Sequence, residues 1–363
     1  MKIINIVGAR PNFMKIAPLM DAYKNHKEIH PLLLHTGQHY DRQMSDDFFS
    51  ELNIPQPDIS LGIGSDTQSK QVARIMMAFE DVCIAEKPDA ILVVGDVNST
   101  MACSLVAGKM GIKIIHLEAG LRSFDRTMPE EINRIVTDSL ADLLLTPSSD
   151  ANENLKREGI SEDKVQLVGN IMIDTLLKFL PKAENSSILE KLNLKMQEYL
   201  LVTLHRPGNV DDGSSLEKIL KTLDQLSEKI HIVFPVHPRT LKNIRSCKLE
   251  MYLKNIITTE PLGYFDFQKL MASSKLVVTD SGGIQEETTV LKIPCVTLRE
   301  NTERPVTITE GTNELIGTDM EKLVFFSEKA IENKWKQSKI PDFWDGNTAR
   351  RVLDVIINKL ADK

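Results

Sequence analysis

Short apolar runs rich in Val, Ile and Leu alternate with longer amphipathic segments along the chain. In the first half these runs are KIINIV, HPLLLHT, DAILVVGD, IKIIHLE, ADLLLT and KVQLVGN. Continuous apolar runs that are separated by helical patterns are typical of a parallel β-sheet covered by helices on both faces. Residues 1–170 therefore predict one doubly wound α/β domain.

A helical stretch and then a polar one, PKAENSSILEKLNLKMQEY, interrupt this rhythm, and we interpret 171–198 as a connection. Strand-like runs resume with YLLVTLH, IHIVFPVH, NIITTEP, KLVVTDSG and IPCVTLRE. Residues 199–342 thus predict a second α/β domain of the same kind. The last segment, 343–363, has apolar residues at helical spacing and predicts a terminal helix that packs back on the first domain.

Polar residues directly follow the predicted strands in both halves. They are Arg10, Asp96, His116, Glu118, His205, Arg206, His237, Asp280 and Ser281. Every strand must end in polar residues somewhere, so one such residue alone favours no function. Open α/β sheets, however, bind ligands outside the carboxyl ends of their strands. The joint pattern predicts a site in a cleft shared by two facing domains, with Arg206 and His237 among its substrate-binding residues.

The segment VVTDSGGIQEE, 277–287, is the strongest indication of an anion site. Ser281, Gly282 and Gly283 fall where a strand turns into a helix, so backbone N–H groups at a helix N-terminus can meet a phosphate. Glu287 lies one turn further on and suits ribose hydroxyls. The alternative is a capped helix whose Glu286 and Glu287 only favour its dipole. We favour the nucleotide interpretation.

The first domain opens with VGARPNFMK, which lacks the G-x-G-x-x-G fingerprint of dinucleotide-binding proteins. Arg10 and Lys15 instead offer cationic donors suited to a diphosphate. A solvated surface lysine is the alternative for Lys15.

The segment HLEAGLRSFDRTMPEEINR, 116–134, concentrates opposed charges beside an apolar run. Glu130 and Arg134 are four residues apart on a predicted helix, a spacing that allows an exposed pair worth about 0.3 to 0.5 kcal/mol. We expect Glu118, Glu130 and Arg134 to face the cleft. Three other charged residues are expected to be solvated or to fix the loop: Asp125, Arg126 and Glu131. The role of Arg122 is left open.

Net charge and residue composition limit the kinds of partner and compartment that we expect for this protein. The 363 residues carry a net charge of −7, which gives no electrostatic reason to expect a nucleic acid or an anionic membrane. The four widely spaced cysteines form no C-x-x-C pair, which favours a reduced, cytoplasmic protein. Arg10, Pro11 and Asn12 interrupt the apolar N-terminal segment, so we expect no signal peptide, and no apolar stretch approaches about 20 residues. The histidines between 26 and 39 match no zinc spacing, so no metal site is predicted.

Nine segments together resemble the non-hydrolysing UDP-N-acetylglucosamine 2-epimerases, and the resemblance runs through nearly the whole chain. They are VGARPNFMKIAPL, HTGQHYD, GDVNST, HLEAGLRS, MPEEINR, LVGNIMIDTL, VTLHRPGN, TDSGGIQEE and RENTERP, in the order of the family. The resemblance implies a glycosyltransferase-B fold, with two facing Rossmann-like domains and the nucleotide sugar in the cleft. It further implies a homodimer that needs neither a metal nor a nicotinamide cofactor.

The implied reaction inverts C2 of a UDP-linked N-acetylhexosamine. The C2 proton is removed while UDP leaves C1, and UDP then adds back to the 2-acetamidoglucal intermediate. The resemblance makes Asp96, Glu118 and Glu130 the acid/base carboxylates, without saying which removes the proton, and makes His205 a catalytic histidine.

The other residues of the motifs correspond to substrate contacts. Arg10, Lys15 and Arg134 resemble the cationic residues around the diphosphate and the active site. Tyr264 and Phe265, in PLGYF, correspond to the uracil lining. The remaining correspondences are to phosphate, ribose and sugar contacts: Ser281, Gly282, Gly283, Glu287 and Arg304.

Two departures and several alternatives stay open. Many members carry a glutamate before the asparagine of HRPGN, 205–209, and this departure leaves the sugar preference open. In GQHYDRQM, the residues Gln38, His39 and Gln43 could serve an activating second substrate site, whose presence is left open. The alternatives are an epimerase of a modified UDP-acetamido sugar, a hydrolysing epimerase, a glycosyltransferase of the same fold, or a nucleotide-sugar sensor without turnover.

Overall fold

The computed structural model describes residues 1–37 and 55–360, with only the backbone of Arg10. The chain divides into two compact units. Unit 1 comprises Met1–Leu176 and Asp342–Lys363, and unit 2 comprises Leu177–Pro341.

The described strands of unit 1 form a seven-stranded, all-parallel sheet in the order β3-β2-β1-β4-β5-β6-β7. The central strands are buried on both faces, which is why they appear in the sequence as continuous apolar runs. The strands are β1 (Lys2–Val7), β2 (His30–His35), β3 (Ile59–Ser60), β4 (Ala90–Val94), β5 (Lys113–Leu117), β6 (Leu143–Thr146) and β7 (Val165–Leu167).

Helices connect these strands. Proline lies in the first turn of α1 and of α4, where its missing N–H costs no hydrogen bond, and Gly111 ends α3 in the left-handed conformation. The helices are α1 (Arg10–Tyr23), α2 (Gln68–Glu86), α3 (Asn98–Met110), α4 (Pro129–Leu140), α5 (Ser149–Arg157) and α6 (Ile171–Glu184). The boundary between the two units falls within α6.

Unit 2 contains a six-stranded, all-parallel sheet in the order β10-β9-β8-β11-β12-β13. Its strands are β8 (Tyr199–Thr203), β9 (His231–Pro235), β10 (Ile257–Thr259), β11 (Leu276–Thr279), β12 (Cys295–Thr297) and β13 (Asn313–Leu315). Its helices are α7 (Ile188–Lys191), α8 (Pro207–Val210), α9 (Gly213–Ser227), α10 (Pro238–Ser246), α11 (Tyr264–Ser273), α12 (Gly282–Leu291), α13 (Val306–Thr309) and α14 (Met320–Ile331).

The terminal helix α15 (Thr348–Leu360) contacts α1 in unit 1. Asp174, on α6, accepts hydrogen bonds at the start of α15 from the Thr348 N–H at 3.0 Å and the Ala349 N–H at 2.7 Å. The Trp344 indole, just before the helix, donates to the Pro147 carbonyl at 2.9 Å. A buried cap and a buried indole therefore hold the end of the chain on the first sheet unit.

Each sheet has one point at which its strand order reverses. In unit 1 this point lies between β1 and β4, and in unit 2 between β8 and β11. The segments that follow these strands are the expected ligand-binding position of such a sheet. Within the described ranges, no helix is long and apolar enough to cross a membrane. The same ranges contain no cluster of His, Cys, Asp or Glu suited to a metal ion.

Candidate active site

In unit 1, Lys15 and Glu118 form a buried ion pair beside the β1/β4 reversal. The Lys15 ammonium donates to Glu118 Oε2, and the two side chains are 10% and 3% exposed. A Cβ on Gly95 would lie 3.2 Å from Lys15 Nζ and 3.5 Å from Glu118 Oε2. A glycine after β4 thus lets the backbone lie against the ion pair, and Lys15 is not the solvated lysine that the sequence allowed as an alternative.

Glu118 has a strained backbone. Its φ of 69° is rare for a residue with a side chain, and the turn is held because the N–H groups of Glu118 and Ala119 both donate to the Leu145 carbonyl. The second carboxylate oxygen, Oε1, is buried and has no hydrogen-bond partner in the described part of the chain. Strain together with an unused acceptor is typical of a side chain held ready for a ligand.

Asp96, which directly follows Gly95, forms an ion pair with Arg134. Arg134 donates from Nε and Nη2 to Asp96 Oδ2, at 3.1 and 2.6 Å, and from Nη1 to Glu131 Oε2 at 2.6 Å. The Asn133 side chain also donates to the backbone carbonyl of Asp96 at 2.8 Å. Asp96 is thus held by α4, and its side chain remains 29% exposed.

The pair of Glu130 with Arg134 that their spacing allows does not form. Arg134 is 3% exposed and pairs with Glu131, the neighbouring glutamate, which is 1% exposed. Glu131 also accepts from the N–H groups of Ser123 and Phe124, both at 2.9 Å, so it fixes the loop before α4. Because that loop needs an acceptor, Glu131 points inward, and it is not solvated.

Glu130 is half-buried, and its carboxylate has no hydrogen-bond or ion-pair partner within 1–37 and 55–360. Asp125 instead accepts from the N–H and hydroxyl of Thr127, at 3.0 and 2.6 Å, and Arg126 is exposed. Among the three predicted acid/base carboxylates, Glu130 is therefore the least constrained by its neighbours.

Arg122, whose role the sequence left open, is structural. It pairs with Asp138 through Nη1 at 2.7 Å and with both oxygens of Glu158, at 2.7 and 2.6 Å. The guanidinium is 1% exposed, so these carboxylates compensate a charge that is removed from water. The side chain of Arg10 and the residues Gln38, His39 and Gln43 lie outside the described parts of the structure.

In unit 2, Asp280 orients His205 at the β8/β11 reversal. Asp280 is fully buried, and its Oδ1 lies 2.9 Å from His205 Nδ1. It also accepts from the N–H groups of His205 and Arg206 and from the Asn209 side chain, at 2.9 to 3.2 Å. Burial favours the neutral acid, but His205 and these donors outweigh it and lower the pKa of Asp280. The His205 ring is thereby fixed through Nδ1 while 43% of its side chain stays exposed.

Arg206 and His237 lie at neighbouring strand ends. The Arg206 Nε is buried without a hydrogen-bond partner among the residues described. His237 precedes α10, and its Nδ1 accepts from the Arg239 N–H at 3.2 Å. Partial burial, together with the positive charges of His205 and Arg239, lowers the pKa of His237. A neutral ring fits the acceptor role of Nδ1.

The start of α12 has the shape predicted for an anion site. Ser281 precedes the helix without capping it through its side chain, and a Cβ on Gly283 would meet nothing within 4 Å. A Cβ on Gly282 would lie 2.9 Å from Arg304 Nη1, so only glycine lets the guanidinium approach the helix start. Arg304 Nε also lies 2.6 Å from Glu286 Oε1.

Glu287 and Tyr264 are buried near each other. Burial, with a smaller contribution from the charge of Glu286, raises the pKa of Glu287 to about 8, so its carboxyl is mostly protonated at neutral pH. Burial, followed by the charge of Glu287, also raises the pKa of Tyr264 well above its usual value. The Tyr264 and Phe265 rings are 5.7 Å apart, and both contact the Phe179 ring. This cluster offers an aromatic surface beside a carboxyl group that can donate or accept hydrogen bonds.

Residue patterns gave no role to several side chains that build these sites. Gln285, fully buried, donates to the Ser281 carbonyl at 3.1 Å and accepts from Thr302 and Asn313, at 2.8 and 3.1 Å. Asn209 bridges Asp280 and the Leu298 carbonyl. Both residues lie in segments that the sequence singled out, Asn209 in HRPGN and Gln285 in TDSGGIQEE, but neither pattern indicates which side-chain contacts they make.

Two doubly wound parallel sheets, each with charged groups where its strand order reverses, define a two-domain Rossmann-like protein. Residues 21–357 match the family model described as UDP-N-acetylglucosamine 2-epimerase. The chain belongs to this epimerase family, a family of isomerases.

The relatives are similar over nearly their whole length. A "UDP-N-acetylglucosamine 2-epimerase homolog" of Methanococcus maripaludis is 43% identical, over 99% of this chain and 100% of its own. A UDP-2,3-diacetamido-2,3-dideoxy-D-glucuronate 2-epimerase of Pseudomonas aeruginosa is 40% identical, over 89% and 90%. The structure of UDP-GlcNAc 2-epimerase from Methanocaldococcus jannaschii, in complex with UDP-GlcNAc and UDP, superposes with a TM-score of 0.90 at 41% identity, over 99% and 100%. These matches confirm the predicted family and the fold class of two Rossmann-like domains, the glycosyltransferase-B type.

Proposed function

We propose that the protein interconverts UDP-GlcNAc and UDP-ManNAc without hydrolysis, by elimination and re-addition of UDP. The observation that carries this proposal is the charged group of unit 1, which consists of Lys15, Glu118, Asp96 and Arg134. There a buried lysine holds one oxygen of Glu118, the other oxygen has no partner within 1–37 and 55–360, and Asp96 is held by Arg134. Acid/base carboxylates interleaved with cations are what removal of a C2 proton and loss of a diphosphate require.

The reaction has two halves. A carboxylate takes the C2 proton, the electron pair of that C–H bond forms a double bond to C1, and the C1–O bond breaks with its electrons leaving on UDP. In reverse, a carboxylic acid protonates C2 from the other face and a UDP oxygen rejoins C1. Such proton transfer contributes roughly 10² to 10⁴ in rate, and cations stabilise the departing diphosphate. Asp96, Glu118 and Glu130 are the proposed acids and bases.

Unit 2 is proposed to bind the nucleotide. Backbone N–H groups from Ser281 to Gly283 take the phosphate, Glu287 takes the ribose, and the rings of Tyr264 and Phe265 line the uracil. His205 is held in a fixed orientation for catalysis. Further cationic and imidazole groups act on the diphosphate or the sugar; they are Arg10, Lys15, Arg134, Arg206, His237 and Arg304. That one UDP-sugar engages both sets of residues stays a prediction. No metal or nicotinamide takes part in the proposed reaction.

The decisive test is NMR of UDP-GlcNAc incubated with the protein in D2O without an acceptor. We expect deuterium at C2 and a mixture of UDP-GlcNAc and UDP-ManNAc. Glu118→Gln and Asp96→Asn should lose the exchange, whereas Lys156→Gln, which changes an exposed lysine, serves as the control. Free ManNAc and UDP as main products would replace the proposal with a hydrolysing epimerase. No C2 exchange with any UDP-acetamido sugar would refute epimerisation and favour a sensor or a transferase.

A second candidate is C2 epimerisation of a modified UDP-acetamido sugar. The observation in its favour is the 40% identity to the P. aeruginosa diacetamido-glucuronate epimerase. The sequence HRPGN, which departs from the family near His205, leaves room for another sugar. Parallel D2O incubations with UDP-GlcNAc and with the diacetamido uronate distinguish the two, since the higher kcat/KM identifies the substrate.

We further propose a cytoplasmic homodimer that makes a precursor of surface polysaccharide. All four cysteines are free, and three of them are buried, which suits a reducing compartment. Sedimentation velocity tests the dimer: a monomer at concentrations at which the enzyme is active would contradict it.

A further inference from the structure

A buried histidine and aspartate lie beneath the charged group of unit 1. His116 is in β5, and Asp138 is on α4; their side chains are 0% and 1% exposed. An imidazole without contact to water is unfavourable unless both ring nitrogens find partners. His116 Nδ1 lies 2.6 Å from Asp138 Oδ1, and Nε2 lies 2.9 Å from the Gly95 carbonyl oxygen. Neither nitrogen faces solvent, so the ring does not itself reach a substrate.

The partners determine which atoms donate. A carbonyl oxygen only accepts, so Nε2 carries a hydrogen and donates to Gly95. The other oxygen of Asp138 accepts from the Gly120 N–H at 3.1 Å and lies 2.7 Å from Arg122 Nη1. Burial disfavours the charged carboxylate, yet His116 and Arg122 outweigh it and lower the pKa of Asp138. The His116 ring therefore bridges the Asp138 carboxylate and the Gly95 carbonyl.

These hydrogen bonds connect two turns. Gly95 belongs to the turn after β4, adopts a φ of 68° and directly precedes Asp96. Gly120 belongs to the turn after β5, adopts a φ of 80° and follows Glu118 by two residues. His116 holds the carbonyl of the first turn, and Asp138 holds the N–H of the second. The two turns that carry Asp96 and Glu118 are thereby tied together through one buried pair.

We propose that His116, oriented by Asp138, is a positioning residue that sets the distance between the Asp96 and Glu118 carboxylates. This inference rests on the proposed function, in which both carboxylates act on the same sugar. A misplacement of about 1 Å at reacting groups can cost about 100-fold in rate. Loss of the pair therefore affects the chemical step more than the binding of UDP.

The test compares two substitutions of His116 with a matched control. His116→Phe keeps the size of the ring and removes both hydrogen bonds, whereas His116→Gln can still donate to Gly95. Asp174→Asn alters another buried carboxylate that accepts two backbone N–H groups, far from these turns in sequence. We expect kcat to fall about 10- to 100-fold in H116F, with KM and UDP affinity within about twofold, and H116Q to retain part of the rate. D174N should lower the unfolding temperature and leave kcat unchanged.

Amide hydrogen exchange of residues 94–97 and 117–121 gives a readout that needs no turnover. Exchange in both segments should be faster in H116F than in wild type, but not in D174N. An unchanged kcat or unchanged exchange in H116F, or UDP affinity lost in parallel with kcat, overturns the inference. If H116F does not fold, Asp138→Asn carries the same expectations. An active wild type with an equally active H116F refutes only the role of His116, whereas a wild type without C2 exchange refutes the proposed function.

Discussion

Removal of the Lys15 charge alone should destabilise unit 1 strongly, whereas removal of the Lys15 and Glu118 charges together should not. Lys15→Met leaves the Glu118 carboxylate 4% exposed, with neither oxygen paired by a described residue. Breaking a buried ion pair from one side costs about 3 to 5 kcal/mol. For a unit of about 200 residues, each kcal/mol shifts the midpoint by about 2 to 4 °C, which gives a fall of about 6 to 20 °C.

Glu118→Gln should also destabilise, because it leaves the buried ammonium without its counter-charge. The double variant Lys15→Met with Glu118→Gln replaces the pair by two neutral side chains of similar size, a change that is often neutral. We therefore expect the double variant to be more stable than either single variant. Its midpoint should lie within about 5 °C of wild type, with no epimerase activity.

Tryptophan fluorescence can report the unfolding of unit 1 alone in this double-mutant cycle, which comprises wild type, the two single variants and the double variant. The chain has two tryptophans, Trp335 in unit 2 and Trp344 in unit 1. In a Trp335→Phe background the remaining indole is 2% exposed and bonded to Pro147, so its emission reports unfolding of unit 1. Urea and thermal midpoints of the four proteins of the cycle then give the coupling free energy.

An exposed pair provides the matched control. Lys156 and Glu162 lie 3.0 Å apart with side chains that are 65% and 78% exposed, so Lys156→Met should leave the midpoint nearly unchanged. Additive losses in the double variant, or a Lys15→Met protein as stable as wild type, would show that Lys15 and Glu118 do not stabilise each other.

Three further predictions concern unit 2. Asp280→Asn should lower kcat about 10- to 100-fold at similar KM, because His205 loses its orienting carboxylate; an unchanged kcat contradicts this. Since the folded pKa of Glu287 is raised from 4.5 to about 8, its contribution to stability is present below about pH 4.5 and is lost as pH rises towards about 8. Glu287→Gln should therefore flatten the fall of the thermal midpoint over this range, and a parallel curve would refute it. Gly282→Ala places a Cβ 2.9 Å from Arg304 Nη1 and should weaken UDP binding about tenfold by calorimetry, whereas Gly283→Ala, with open space, serves as its control.

All eleven apolar runs contain a strand. Nine of these strands lie inside a sheet, where parallel strands need continuous apolar sequence, and the other two, β7 and β10, lie at sheet edges. Two strands were missed, β3 with the sequence IS and β13 with the sequence NEL. Both lie at sheet edges and have at most three residues, so neither needs nor shows an apolar run.

For the candidate site, the sequence indicated residues at strand ends but not how their side chains pair. Strand ends indicated Asp96 and Glu118 in unit 1 and His205 in unit 2, because parallel strands bring the residues that follow them to one edge of each sheet. Helical spacing, however, cannot distinguish two adjacent glutamates, and it favoured Glu130 over Glu131 as the partner of Arg134. The choice is made by the N–H groups of a loop distant in sequence, which need an acceptor, and no local pattern contains that information.

The carboxylates of unit 1 differ in how many of their oxygens accept hydrogen bonds from other described residues. Asp138 and Glu131 accept at both oxygens from backbone and cationic donors, so they have no capacity left for a substrate. Among the residues that the structure describes, one buried oxygen of Glu118 and both carboxylate oxygens of Glu130 have no hydrogen-bond partner. A buried ion pair adds little stability compared with apolar packing, so unused acceptors on a buried charge have no structural explanation. The same criterion, applied to one short charged segment, assigns Glu131 to the fold and proposes Glu118 and Glu130 for the chemistry.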